Sequence, residues 1–273
     1  ISDAVRQLAS EGHAPDFIAI TGDVAYSGKA AEYALARQWI EQRLLAALPG
    51  FDPANLLIVP GNHDVDRSTI TDESQVIQEY LLSKGQDAID KHIQGINNRL
   101  LVSRLDAYQD FVKYYRNYLP EEPWWAEIRT VRGIEIGFAG LCSAWLSGKK
   151  EEQGNLALGR YQINKVLQQL ADVPIRIALL HHPYSYLREF DAEECEQRLQ
   201  KDYMIILRGH LHKEKSRVIL SPNSSSLELA AGSSYAGSDY PNAFQLIELD
   251  AAASNVYVHY RIWKDHRWIV DRN

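Results

Sequence analysis

Four short polar clusters, each placed directly after an apolar run, constrain this chain more than any other feature. They are Gly22-Asp23, Gly61-Asn62-His63-Asp64, His181-His182-Pro183 and Gly209-His210-Leu211-His212. The runs before them are Phe17-Ile18-Ala19-Ile20, Leu56-Leu57-Ile58-Val59, Ile175-Arg176-Ile177-Ala178-Leu179-Leu180 and Met204-Ile205-Ile206-Leu207. Their length and composition are those of buried strands. Imidazoles and carboxylates at the ends of buried strands are unfavourable unless they find partners or a cation. Their recurrence at four strand ends therefore implies a fold in which those ends converge.

The first two strands flank a helical pattern over 30–48, with Tyr33, Ala36, Trp39, Ile40, Leu44 and Leu45 at helical spacing. Strand, helix, strand in that order predicts a parallel crossover. Ligands in open α/β sheets bind at the carboxyl ends of such strands. Residues 73–118 read differently: helical, rich in Gln, Asp and Lys, with Tyr108, Phe111, Tyr114, Tyr115 and Tyr118 late in the segment. This predicts a helical insertion at about 68–126 whose aromatic stripe packs on the main body. Residues 127–141 predict a hairpin around Arg132-Gly133, and 160–171 and 192–201 predict helices. Short β-like runs at 217–220, 226–231, 243–249 and 256–263 suggest a second, more antiparallel sheet. The expected fold class is α/β: a four-layer α-β-β-α sandwich of two mixed sheets flanked by helices, as one domain over 1–273.

Composition narrows the partners. Net charge is −7 with a pI near 5.7, which argues against a surface built to coat nucleic acid. The two cysteines, Cys142 and Cys195, lack disulfide-scaffold or metal-site spacing and suit a reducing, cytoplasmic setting. No apolar run approaches the ~18–20 residues that span a bilayer, and no signal peptide is visible, so no membrane partner is expected. Ile1 is not an initiator, so residues and domains outside this chain are expected.

The clusters carry the chemistry of a metal site. Asp23 follows a glycine and has two oxygens able to bridge two cations. Asn62 offers a neutral amide oxygen. His63-Asp64 has the composition of an acid–base dyad, in which the carboxylate favours the imidazolium and keeps a proton for a leaving alkoxide. On an extended segment residues i and i+2 face the same way, so His210 and His212 are expected to reach one centre. Of His181 and His182, His181 leaves the strand first and is the expected ligand, with His182 behind it. His13, His92, His259 and His266 lie outside any cluster. Mixed N/O ligation without thiolate suits Mn, Fe, Zn, Ni or Co, and two such ions together suit hydrolysis by an activated water.

These motifs resemble those of the calcineurin-like metallophosphoesterases, whose pattern runs Asp-x-His, Gly-Asp, Gly-Asn-His-Asp/Glu, a His after a strand, then Gly-His-x-His. Four of the five occur here in order over residues 22–212. The resemblance implies that Asp23 bridges two metals, that Asn62, His181 and His210 complete one site, and that His212 serves the other. It implies that His63 is the catalytic histidine and Asp64 its partner. No Asp-x-His occurs in residues 1–21, so the expectation is one metal site retained and a dinuclear partner weakened. The Val-Pro-Gly-Asn-His-Asp-Val-Asp-Arg and His-His-Pro-Tyr runs resemble bacterial phosphodiesterase-type members more than Ser/Thr phosphatases. The expected substrate is thus a phosphodiester of a nucleotide or nucleic acid. A phosphomonoesterase and a degenerate binding or regulatory module are the alternatives. Arg67, Lys149, Lys150 and Lys213 are candidates to pair with phosphate. Trp145, Tyr184, Tyr186, Tyr235 and Tyr240 are candidates to stack on a base.

Overall fold

Alternation along one short strand fixes the layering. Leu57 and Val59 share a core cluster with Trp125, Phe138 and Leu179, whereas Leu56 and Ile58 share one with Tyr33, Tyr108 and Phe111. A strand buried on both faces must lie between a sheet and a layer of helices. The computed structural model describes residues 1–95, 98–116, 122–212, 215–222, 224–234, 242–251 and 254–271. The chain runs α1 (Ser2–Ser10), β1 (Ile18–Ile20), α2 (Ala30–Trp39), β2 (Leu56–Ile58), α3 (Asp72–Lys84), α4 (Gln86–Gln94), α5 (Arg99–Val102) and α6 (Asp106–Val112). It continues through β3 (Trp125–Val131), β4 (Ile134–Gly140), α7 (Arg160–Gln169), β5 (Ile175–Leu179), α8 (Glu189–Asp202) and β6 (Ile205–Arg208). The last strands are β7 (Lys215–Ser221), β8 (Ser224–Ala230), β9 (Ala243–Asp250), β10 (Asn255–Lys264) and β11 (Arg267–Val270).

β1 and β2 pair in parallel, Ile18 opposite Leu56 and Ile20 opposite Ile58. The connecting helix α2 runs on through a π turn at Ile40–Leu44 and a 3-10 turn at Leu45–Ala47, which explains the unbroken helical pattern over 30–48. The large mixed sheet has the order β3-β4-β5-β6-β8-β7. Its β4, β5, β6 and β8 are parallel, and β3 and β7 are antiparallel edges. Helices α7 and α8 cover its far face, where Ile163, Val166, Cys195 and Leu199 are buried. The architecture is therefore the α/β sandwich of sheet on sheet between helices.

The structure redistributes the C-terminal strands. β7 and β8, expected in the second sheet, extend the large one. Leu227 and Leu229 of β8 lie beside Ile205 and Leu207 of β6, so an apolar strand finds a buried neighbour there. Among the described residues only β9, β10 and β11 form a separate antiparallel sheet, and β1 pairs with β2 alone. The insertion is helical as expected. Its stripe packs inward, Phe111 stacking on Tyr33 at 5.1 Å between ring centroids. Tyr114 is exposed, and Tyr118 lies outside the described residues.

Two donors from different segments hold the end of β2: Trp125 Nε1 and Tyr108 Oη both donate to the Ile58 carbonyl, at 3.0 and 3.1 Å. Trp125→Phe and Tyr108→Phe are each expected to cost about 1–2 kcal/mol. The double variant is expected to cost more than their sum, because one buried carbonyl loses both donors. Urea denaturation of the four proteins in a double-mutant cycle checks this.

Candidate metal centre

The loops after β1, β2, β5 and β6 meet, as the sequence pattern required. Close approach depends on glycine at two places. A Cβ on Gly22 would collide with the His181 ring, and one on Gly61 with the Asp23 carboxylate. Asp23, His210 and His212 themselves adopt left-handed backbone conformations, with φ of 57°, 71° and 52°. Such conformations are uncommon outside glycine and cluster at functional loops. His210 and His212 are therefore presented by a bend, not by the extended segment expected from their spacing.

Four donor atoms converge. Asp23 Oδ2 lies 3.3 Å from His181 Nε2, and Asn62 Oδ1 lies 3.2 Å from the same nitrogen. His210 Nδ1 lies 3.2 Å from His181 Nε2 and 3.1 Å from Asn62 Oδ1. The other ring nitrogen of His181, Nδ1, donates to the Thr21 carbonyl at 2.6 Å. In the neutral ring that assigns the proton to Nδ1 and turns the Nε2 lone pair toward the cluster. Four such acceptors repel one another unless a cation or a proton lies among them. Atoms bonded to one cation at about 2.1 Å stand about 3.0–3.4 Å apart, so these spacings fit a single divalent ion.

His63 and Asp64 do not form the expected dyad. Asp64 is fully buried. Its Oδ1 accepts from Ala25 N at 2.9 Å and Tyr33 Oη at 2.9 Å, and its Oδ2 accepts from Gly61 N at 2.8 Å and Val24 N at 3.3 Å. Burial between donors from two loops makes it the tie between those loops, and it is not seated on His63. The His63 ring instead donates from Nδ1 to the Tyr26 carbonyl at 2.8 Å, and its backbone N–H donates to Asp23 Oδ1 at 3.0 Å.

His182, expected behind His181, is fully buried against the His210 ring at 4.7 Å. Its Nδ1 meets Ser143 Oγ at 2.9 Å. Its Nε2 has no hydrogen-bond partner and faces Glu152 Oε2 at 3.7 Å. Ring nitrogens of His181, His182 and His210 fall within 4.8 Å of one another. His212 is half-buried and feels the charges of Asp23, His181 and His63.

The substrate-side candidates divide. Arg67 is half-exposed, 4.0 Å from Glu152 Oε1, and Tyr186 packs 4.3 Å from the His210 ring. Lys149 is held by Glu79 of α3 at 2.7 Å, and Lys150 is exposed. Tyr184 and Trp145 are core residues. Tyr184 is buried in the main apolar cluster, and Trp145 is fully buried with its indole N–H on the Ala157 carbonyl. Neither can stack on a substrate from there, because apolar packing has claimed the rings. Lys213, Tyr235 and Tyr240 lie outside the described residues. Sequence reasoning missed Thr21, Tyr26, Tyr33, Ser143 and Glu152. Only Tyr33 carried a signal: a phenol on the inward stripe of α2 needs a buried partner.

The electrostatics follow from this packing. Burial by itself would raise the Asp23 carboxyl, but the His181 charge and hydrogen bond and the His63 N–H outweigh it and hold it well below the usual carboxylate range. Burial disfavours charge on His181, and the Asp23 carboxylate reverses that into a net upward shift. Burial, followed by the neighbouring His182 and His181, pushes His210 down to about 3. Burial and then Asp23 raise Asp64 despite its donors.

Adding Mn²⁺ or Zn²⁺ is expected to raise Tm, by the equivalent of about 2.7 kcal/mol at a hundredfold excess over Kd. In Gly61→Ala and Asn62→Ala that rise is expected to vanish. Scanning fluorimetry across a metal titration provides the check.

A family model described as calcineurin-like phosphoesterase matches residues 1–214. YydB of Bacillus subtilis (strain 168), described as an uncharacterized metallophosphoesterase-like protein, is 25% identical over 268 residues, covering 91% of this chain and 52% of YydB. The chain thus spans about half the length of that curated relative. Wild-type Vps29 of Entamoeba histolytica, solved with Zn²⁺, is 16% identical over 54% of this chain and 58% of that one, with a TM-score of 0.28. The sulfate thiohydrolase SoxB of Thermus thermophilus, solved with glycerol, is 12% identical over 96% of this chain and 46% of that one, with a TM-score of 0.39. A match across most of the sequence, spanning all four strand-end motifs, means that the chain belongs to the calcineurin-like phosphoesterase family of metal-dependent phosphoester hydrolases.

Proposed function

We propose that this domain is a phosphodiesterase acting on a nucleotide or nucleic-acid phosphodiester, with Asp23, Asn62, His181 and His210 holding a divalent cation. The observation that carries the reading is the convergence of those four donor atoms beside His63, each 3.1–3.3 Å from a neighbour. A cation bound there supplies Lewis acidity, neutralising phosphoryl charge and lowering the pKa of water. His212 is the family position for a second cation, and the ions proposed are Mn, Fe, Zn or Ni.

The chain's own residues do the rest. Asp23 divides its carboxylate, one oxygen fixed by the His63 N–H and the other turned to the donor cluster. Thr21 orients His181 through Nδ1. The Tyr26 carbonyl takes Nδ1–H of His63, so in the imidazolium Nε2–H is the proton available to the leaving oxygen. Asp64 keeps both loops in register and takes no proton from His63.

Among the described residues, cations on the loops after β1, β2 and β4 support the diester reading. Lys29 is bound by Asp66, Lys149 by Glu79, and Arg67 lies beside Glu152. Cations already committed to carboxylates offer less to a dianionic monoester than to a monoanionic diester. His63→Ala is expected to lower kcat on thymidylyl-(3′→5′)-thymidine, whose alkoxide needs a proton to leave, by about 10²–10⁴-fold with metal content unchanged by elemental analysis. An unchanged rate removes His63 from the mechanism. Faster turnover of p-nitrophenyl phosphate than of bis-p-nitrophenyl phosphate favours the monoesterase alternative. Bound metal with no turnover of either ester favours a binding module.

A further inference from the structure

We propose that Tyr26 is a stacking platform for a planar group on the leaving side of the ester, so that a nucleoside leaving alcohol is preferred to an alkyl one. This rests on the phosphodiesterase reading above and deepens it. Tyr26 is 81% exposed, the highest exposure among the large hydrophobic side chains of the described residues. Its ring leans on the His63 ring, 5.4 Å between centroids at an interplanar angle of 33°, and is otherwise open to solvent.

A lone exposed tyrosine on a surface loop is ordinary. This one differs because the backbone on both sides of it is tied down. Val24 N and Ala25 N donate to the buried Asp64 carboxylate at 3.3 and 2.9 Å. Ser27 donates to Glu32 from its backbone N at 2.9 Å and from its hydroxyl at 2.8 Å. Tyr26 itself gives its carbonyl to His63. The loop therefore presents an aromatic face from a fixed backbone, and a ring held in advance loses little freedom when a ligand stacks on it.

Position decides which part of the substrate it meets. His63 is the group that hands a proton to the departing oxygen, so whatever that oxygen carries emerges beside the His63 ring and the tyrosine resting on it. The nearby cation Lys29 is bound to Asp66 and Ser68. Recognition here is by a π face, which every nucleobase has. Stacking of one base on one aromatic side chain changes affinity about 5- to 150-fold.

The test compares thymidylyl-(3′→5′)-thymidine with the methyl ester of thymidine 3′-phosphate. The two differ in one ester alcohol, and the turnover scored by chromatography on the metal-loaded protein is formation of thymidine 3′-phosphate, the product left when that alcohol departs. The wild type is expected to show a KM lower by about 5- to 150-fold for the dinucleotide. Tyr26→Ala is expected to collapse that preference, and Tyr26→Phe to keep it, since the ring and not the hydroxyl acts. A preference unchanged in Tyr26→Ala, or absent from the wild type, overturns the proposal. If the wild type cleaves neither diester, the phosphodiesterase reading fails, and the platform is judged by NMR line broadening of thymidine. Broadening by the wild type that is lost in Tyr26→Ala supports the platform, and no broadening by the wild type overturns it.

Discussion

A carboxylate with no access to water holds the two catalytic-type loops in place. Asp64 collects N–H groups from Val24, Ala25 and Gly61 and the Tyr33 hydroxyl. Three of those donors belong to the β1–α2 segment and one to the loop after β2. A buried charge is tolerable only when it is so surrounded, and the surrounding groups cannot move apart without exposing it. The mutual placement of Asp23 and Asn62 follows from this tie, and so does the seat of His63, whose backbone N–H reaches Asp23 from the same turn. The donor cluster is thus set by a group that is not part of it.

Much of this was legible in the residues. Apolar runs ending in a polar cluster located β1, β2, β5 and β6 to within a residue or two, because buried parallel strands have continuous apolar sequences. Between His181 and His182 the residues alone left the choice open; His181 Nε2 lies 3.2 Å from Asn62 Oδ1, and a ring nitrogen of His182 also falls within 4.8 Å of those of His181 and His210. The neighbours of Asp64 were not legible. Adjacency in sequence to His63 suggested a dyad, but partner choice was decided by four donors brought from residues 24, 25, 33 and 61, three of them far away in the chain. Main-chain donors and acceptors carry no residue signature, so the Thr21 and Tyr26 carbonyls were invisible as well. The strands β7 and β8 were readable as strands but not as members of the large sheet, because neighbour choice depends on which edge is free.

Backbone geometry adds a second layer of specification. Asp23, His210 and His212 occupy left-handed conformations that a side chain with a Cβ adopts at some cost. Asp23 and His210 each follow a glycine directly, and His212 lies three residues beyond Gly209, in loops that leave the ends of β1 and β6. The strain sits where side-chain chemistry demands a residue other than glycine. Arg132, Ser254, Asp265 and His266 share that conformation in the turns of the β3–β4, β9–β10 and β10–β11 hairpins, where it is ordinary turn geometry; at the strand ends it coincides with metal-binding side-chain types, as at a site selected for chemistry and not for stability.

The acceptor that orients His181 is a main-chain oxygen, that of Thr21. No replacement of the side chain at position 21 deletes it, so the orientation of this imidazole is insulated from point mutation at its own partner. Vulnerability moves to neighbours that have no functional group at all. A methyl group on Gly209 would press on that same oxygen, and one on Gly22 on the ring it steers. Drift in such a lineage would be policed at its glycines before its histidines.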